Sequence, residues 1–114
     1  MPSTGLRGPF TLSNVVIDRE VRSTSPGAYA LDSGTDANTF YVHYAGRSDI
    51  DVNARLKQHV GNYRRFKFEY YSSPKAAFDK ECHLYHDFDP RDNSVHPARP
   101  SGSGWKCPRC GVFG

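Results

Sequence analysis

The C-terminal part of the chain carries residues with the types and spacing of a metal site. Cys107 and Cys110 form a Cys-x2-Cys pair, and Cys82 precedes His86 by four positions. Residues four apart on a helix project from the same side, and a Cys-x2-Cys pair is a common half of a zinc site. Together the four side chains would complete a tetrahedral Zn²⁺ site of structural type that uses every cysteine in the chain.

The fourth ligand of this predicted zinc site remains open among His86, His96 and His83. His83 lies about 100° around the helix from Cys82, which makes it the poorer choice, whereas His96 lies in the tail and is feasible. A redox role for the Cys-x2-Cys pair is disfavoured, because a thioredoxin-like pair opens a helix after a strand and this one stands at the end of the sequence. The plainer alternative is that Cys82 is a small buried hydrophobe and no metal is bound.

The overall composition is typical of one small folded domain. The chain has 114 residues, of which 37% are hydrophobic, and it contains 7 Tyr and 7 Phe. No apolar run approaches the roughly 18 residues of a transmembrane helix. The first residues lack the apolar segment of a secretory signal, so we expect a cytoplasmic protein. A net charge of +3 is compatible with a phosphate-bearing partner.

The hydrophobic pattern predicts an α+β domain in the order β-β-α-β-α. Its small three-stranded antiparallel sheet would be flanked by helices and followed by an irregular C-terminal tail. The predicted strands are 28–31, 39–45 and 66–70, and the predicted helices are 49–60 and 74–88. Residues 10–21 favour a strand or irregular structure. The chain thus divides into a lead-in (1–24), a central domain (25–93) and a Pro/Gly-rich tail (94–114) that zinc would staple to the last helix.

A second set of residues lies along the central domain in a characteristic order. Gly27-Ala28-Tyr29 opens the first strand and Tyr44-Ala45-Gly46 closes the second, while Arg55, Glu81 and Asn93 follow on later elements. This set resembles the GIY-YIG nuclease superfamily, with GAY and YAG in place of the two name-giving triplets. The resemblance covers residues 25–93. One Gly-x-Tyr triplet arises by chance, so the specificity lies in the conjunction.

The resemblance implies metal-dependent hydrolysis of nucleic-acid phosphodiester bonds, that is, an endonuclease. It implies Tyr29 as general base or water-positioning group, and Tyr44 as a residue that shapes the site or shares the proton relay of the water. Arg55 would clamp the phosphate with its planar guanidinium, and Glu81 would bind Mg²⁺ or Mn²⁺, which favour carboxylate ligands. The Tyr29 hydroxyl, with an ordinary pKa of about 10, would need that pKa lowered by neighbouring cations or by metal-bound water.

Three further residues are candidates for substrate binding: Arg47, His59 and Asn93. Arg47 would add a phosphate contact, His59 lies in the same helical row as Arg55, and Asn93 would hold the site or the substrate. We expect a nucleic-acid partner, with DNA favoured over RNA, and no membrane. A protein partner or a homodimer stays open, because the sequence shows no separate recognition module.

Two other functional classes fit the same sequence. One is a non-catalytic module that binds nucleic acid or protein, with basic side chains on phosphates and Tyr63 or Tyr70 stacked on bases. The other is a zinc-stabilised structural protein whose interface includes Tyr70 and Tyr71. Cleavage of nucleic acid by the protein alone would distinguish an endonuclease from both of these non-catalytic classes.

Overall fold

The computed structural model describes residues 4–36, 38–93, 96–98 and 102–108. Four strands and three helices alternate along these residues, which confirms the α+β class but corrects the expected three-stranded sheet to four strands. The strands are β1 (Arg7–Thr11), β2 (Gly27–Asp32), β3 (Tyr44–Ser48) and β4 (Arg65–Tyr70). The helices are α1 (Asn14–Glu20), α2 (Val52–Lys57) and α3 (Pro74–Phe88). No helix in the described ranges is long and apolar enough to cross a membrane.

The sheet has the strand order β1-β4-β2-β3, and its three pairings are all antiparallel. β2 is a central strand and is buried along its whole length, as a strand covered on both faces must be. In the register, Tyr29 on β2 lies opposite Gly46 on β3 and Phe68 on β4. The strand order makes β3 an edge strand.

Two apolar cores cover the two faces. On one face, Tyr29 and Leu31 pack with residues of α1 and α2, among them Ile17, Val52 and Leu56. On the other face, the small residues Ala30 and Ala45 pack against Leu84 of α3. α2 and α3 therefore lie on opposite faces of the sheet.

Part of the expected lead-in belongs to the fold. β1 pairs with β4, and α1 buries Ile17 completely. The β-branched run Val15-Val16-Ile17 favours a strand by local propensity. The Ser13 hydroxyl, however, accepts a hydrogen bond from the Val16 amide and caps a helix here, and burial of Ile17 then stabilises the helix.

The second predicted strand is displaced along the chain. Residues 39–43 are not a strand, and β3 begins only at Tyr44. The reason is a buried carboxylate, Asp32, which accepts a hydrogen bond from the Tyr41 amide and is paired with Arg65 at 3.0 Å. Arg65 also donates to the Thr39 carbonyl. Side chains thus occupy the backbone groups that a strand would have used, which a local pattern does not reveal.

The helix boundaries follow their capping residues. α2 is shorter than the predicted 49–60, because Asp51 caps it by accepting from the Ala54 amide. After Lys57 the chain makes tight turns, in which the His59 amide donates to the Leu56 carbonyl. The predicted bounds of α3 are confirmed: Ser73 caps its N-terminus, and Asp89 ends it in a left-handed conformation at φ 45°.

Candidate active site and metal site

A cleft of about 250 Å³ lies at the β3 edge of the sheet. It brings together five residues that the sequence singled out, namely Tyr29, Tyr44, Arg47, Arg55 and Glu81. Three other lining residues were not predicted as site residues, namely Gly46, Asp49 and Ala98. Asp49 was taken only as the start of a helix, although its position two residues after Arg47 was a usable signal. Nothing local indicates that Ala98, in the tail, returns to the cleft.

The glycine of each triplet is required by close packing. A Cβ atom on Gly46 would lie 2.5 Å from the Tyr29 hydroxyl oxygen and 2.6 Å from its Cζ. A Cβ on Gly27 would lie 2.7 Å from the Glu69 carbonyl and 2.9 Å from Val52 Cβ. Gly46 therefore leaves room for the tyrosine ring across the strand pair, and Gly27 allows α2 to approach the sheet.

Tyr29 forms the floor of the cleft. Its surface is completely buried, and its hydroxyl oxygen lies 2.8 Å from Nε2 of His59. Burial raises the pKa of Tyr29 far above its ordinary value, and the nearby Arg55 guanidinium only partly opposes this effect. The sequence reasoning required a lowered pKa, but desolvation dominates over the cation here. Tyr29 is therefore a poor base by itself and needs a proton acceptor behind it.

His59 is placed to be that acceptor. Its half-buried ring packs against Tyr29 and Tyr44, with ring centroids 5.4 and 5.3 Å away. Burial, aided by the positive charge of Arg55, lowers the pKa of His59. The neutral imidazole is therefore favoured near pH 7, and a neutral ring carries one nitrogen that accepts a proton. His59 thus contacts the site from behind Tyr29 and does not line the cleft.

Glu81 and Arg47 form an ion pair inside the cleft. Arg47 Nη1 donates to Glu81 Oε1 at 2.7 Å, and Arg47 Nε donates to Asp49 Oδ1 at 2.8 Å. The guanidinium also lies over the Phe78 ring, 5.1 Å from its centroid. Burial raises the pKa of Glu81, while Arg47 acts in the opposite direction. Glu81 and Asp49 therefore share the guanidinium of Arg47, and carboxylate oxygens are also the ligands that hard divalent cations prefer.

Arg55 is the exposed cation of the cleft. It lies on α2 beside Tyr29, and its Nη1 donates to Gln58 Oε1 at 2.9 Å. Its contact with Tyr29 raises the pKa of the guanidinium, so the group stays charged. An exposed guanidinium with several donors is suited to a phosphate arriving from solvent.

Asn93 has a positioning contact and does not line the cleft. Its Oδ1 accepts from the Ala45 amide at 2.7 Å, and its Nδ2 donates to the Ala45 carbonyl at 3.0 Å. Ala45 lies between Tyr44 and Gly46, which both line the cleft. Asn93 therefore fixes the edge strand at the cleft wall. Of its two expected roles, holding the site is the one this geometry supports.

A group of metal-binding type lies next to the cleft. The ligand atoms of Cys82, His96 and Cys107 all lie within 4.8 Å of one another, and these residues could hold a metal ion such as zinc. His86 was preferred as the histidine ligand, but the structure brings in the alternative, His96. The exposed His86 ring packs beside His96, at a centroid distance of 5.3 Å, and stays outside the group. Cys110 lies outside the described residues.

The surroundings of this group orient its histidine and bury its sulfurs. His96 Nδ1 lies 2.9 Å from the Pro97 carbonyl, which can only accept, so the proton is on Nδ1 and Nε2 carries the lone pair. Such a backbone partner commonly fixes the tautomer of a metal-binding histidine. Cys82 and Cys107 are both buried in a small cluster with Phe78 and Trp105, whose rings are 5.3 Å apart.

Comparison with known proteins identifies no relative: no family model, no curated protein and no solved structure matches the chain.

Proposed function

We propose that the protein is a metal-dependent endonuclease that hydrolyses phosphodiester bonds of nucleic acid. The observation that carries this proposal is the meeting of Tyr29, Arg55 and Glu81 in one cleft. They come from β2, α2 and α3, which are far apart in sequence. A proton-transfer group, a phosphate-binding cation and a carboxylate for a divalent metal are the three parts that this reaction needs. The order of these residues, as in the GIY-YIG nucleases, supports the same reaction.

Arg55 binds the substrate phosphate in this proposal. Its charge and its exposure at the mouth of the cleft let it donate two hydrogen bonds to non-bridging phosphate oxygens. Arg47 is already bonded to Glu81 and Asp49, so its main role is to orient the carboxylate. Its positive charge still adds to the attraction for a polyanion.

The proton of the attacking water leaves through Tyr29 and His59. As the water oxygen forms its bond to phosphorus, its proton passes to the Tyr29 hydroxyl oxygen, and the Tyr29 proton passes to His59 Nε2. Tyr29 thus never becomes a free phenolate, which its raised pKa would resist. Tyr29 has no exposed surface in the free protein, so the attacking water has to enter beside its hydroxyl from the cleft that Tyr29 lines. The departing alkoxide takes a proton from solvent. His59 later releases to solvent the proton that it accepted from Tyr29.

Glu81 would hold the catalytic cation, and Asp49 is a second carboxylate that lines the same cleft. A bound Mg²⁺ or Mn²⁺ would supply positive charge to the phosphate and to the departing oxygen. Arg47 opposes the effect of burial on the pKa of Glu81 and holds one of its carboxylate oxygens. An external water nucleophile does not need the ribose 2′-hydroxyl, so DNA is a chemically suitable substrate and is our preferred one over RNA.

We also propose Zn²⁺ at Cys82, His96 and Cys107, with a structural role. Two thiolates and an imidazole are ligands that zinc favours over magnesium. In a tetrahedral zinc site the two sulfurs are about 3.8 Å apart, which is compatible with the separation limit of 4.8 Å in this group. The metal content of the purified chain, compared with that of Cys107→Ser, tests this assignment.

The function is tested with a panel of labelled DNA and RNA substrates, single-stranded, duplex and branched, with Mg²⁺ or Mn²⁺. We expect cleavage of at least one substrate, and a large loss in Arg55→Ala. The matched control is Arg19→Ala, because Arg19 is an exposed arginine on α1 whose ion pair is with its neighbour Glu20. Salt-sensitive binding without cleavage of any substrate would favour the non-catalytic binding module instead.

A further inference from the structure

We propose that the metal-binding group of Cys82, His96 and Cys107 holds residues 96–98 in place, so that Ala98 forms one wall of the cleft. Zn²⁺ occupancy then determines whether the cleft is complete. The inference rests on the proposed function only for its effect on cleavage. Its structural content concerns the cleft itself and is tested separately.

Two residues that line the cleft lie within two positions of a metal ligand in the sequence. Ala98 lies two residues after His96, and Glu81 directly precedes Cys82 on α3. Two residues of extended chain span at most about 7 Å. A metal bound by His96 therefore restricts Ala98 to a small volume beside the cleft. The same metal ties this wall to the helix that supplies Glu81.

The described part of the tail is fixed by side-chain contacts. Residues 96–98 and 102–108 form neither helix nor strand, so no backbone ladder secures them. Their burial comes from Pro97, from Cys107 and from Trp105 against Phe78. A short irregular segment of this kind commonly needs a metal to hold a defined conformation. Metal loss should therefore release the wall without unfolding the sheet.

The experiment uses the full chain, stripped with a zinc-selective chelator and then supplied with Zn²⁺ alone. Trp105 is the single tryptophan, so its emission reports whether the tail is packed on Phe78. Hydrogen exchange of β3 reports the cleft edge. His96→Gln removes the proposed ligand, and His86→Gln is the matched control, because that ring lies beside His96 but outside the group.

We expect zinc removal to shift Trp105 emission to longer wavelength and to speed amide exchange both in the tail and in β3, with β4 unchanged. Added Zn²⁺ should restore the wild type and His86→Gln but not His96→Gln. With Mg²⁺ present, kcat/KM should fall about 10- to 100-fold without zinc.

Two results would overturn the inference. One is faster exchange confined to the tail while β3 stays protected, and the other is identical behaviour of His96→Gln and His86→Gln. If zinc removal exposes β3 but the zinc-loaded wild type cleaves no substrate, the wall stands and the proposed nuclease function fails. If cleavage is unaffected by zinc loss, the nuclease stands and the role of the wall is refuted.

Discussion

The hydroxyl oxygen of Tyr29 lies 2.8 Å from Nε2 of His59, at the floor of the candidate cleft. The two groups are shifted in opposite directions: burial raises the pKa of the phenol and lowers that of the imidazole. A phenol that resists ionisation, beside a neutral imidazole, is suited to passing a proton on. Neither the phenolate nor the imidazolium then has to persist. In the proposed reaction, this pair would carry away the proton of the attacking water.

We predict that Tyr29→Phe and His59→Gln each reduce kcat by roughly 10²- to 10⁴-fold, the usual contribution of a positioned acid–base group. Glutamine can still accept a hydrogen bond from Tyr29 but cannot take its proton. Because the two residues act as one unit, the double variant should be no slower than the slower single variant. Tyr41→Phe, an exposed tyrosine outside the cleft, should cleave like the wild type. Additive losses in the double variant would refute the relay.

The pH dependence should show its acid limb below pH 6.5. His59 must be neutral to accept a proton, and its pKa lies below the ordinary value of 6.5. Glu81 must be ionised to bind the cation, and its raised pKa brings its own loss of activity to higher pH than for an ordinary glutamate. Activity should therefore be nearly full at pH 7 and decline on acidification.

The pH dependence of the cleavage rate is also measured in His59→Gln. The residual rate of this variant should lack the decrease at low pH that protonation of the imidazole causes. The folded state disfavours protonated His59, so stability falls as pH drops through the ordinary histidine pKa. Melting temperatures across the same pH range separate that loss from catalysis. An acid limb above pH 7 in the wild type, with the fold intact, would contradict the assignment.

Gly46→Ala should damage the site through Tyr29. The added methyl would lie within 3 Å of the hydroxyl oxygen and two ring carbons of Tyr29, so the side chain or the strand must move. Overpacking of this kind costs about 1–3 kcal/mol of stability, and cleavage should fall with it. In a Tyr29→Leu background the same substitution should cost less. An equal cost in both backgrounds, measured by denaturant unfolding, would show that Tyr29 is not the obstacle.

How much of this the sequence could predict depended on the range of the interactions. α3 was predicted with its bounds because Ser73 and Pro74 are local signals. The strand expected at 39–45 was displaced because the buried Asp32–Arg65 pair, 33 residues apart, uses its backbone groups. His96 replaces His86 beside Cys82 because tertiary packing sets the path of the tail, and spacing along α3 cannot report it.

The cleft itself was partly predictable for the same reason. Tyr29, Arg55 and Glu81 were singled out together, and the structure brings them together. Ala98 and the Tyr29–His59 contact depend on a returning tail and on a tight turn after α2, which no periodicity encodes. The raised pKa of Tyr29 follows from burial, which the sequence pattern alone did not reveal.

The most direct test of the central claim is the rate of DNA cleavage by the zinc-loaded wild type and by Glu81→Gln, with and without added Mg²⁺ or Mn²⁺. Glutamine keeps an oxygen that accepts from Arg47 but lacks the charge that binds the cation. Glu69→Gln is the control, because Glu69 pairs with Arg7 outside the cleft. We predict cleavage by the wild type and the control only with added metal, and at least a roughly 100-fold loss in Glu81→Gln. Equal cleavage by Glu81→Gln, or wild-type cleavage independent of added metal, would contradict the account.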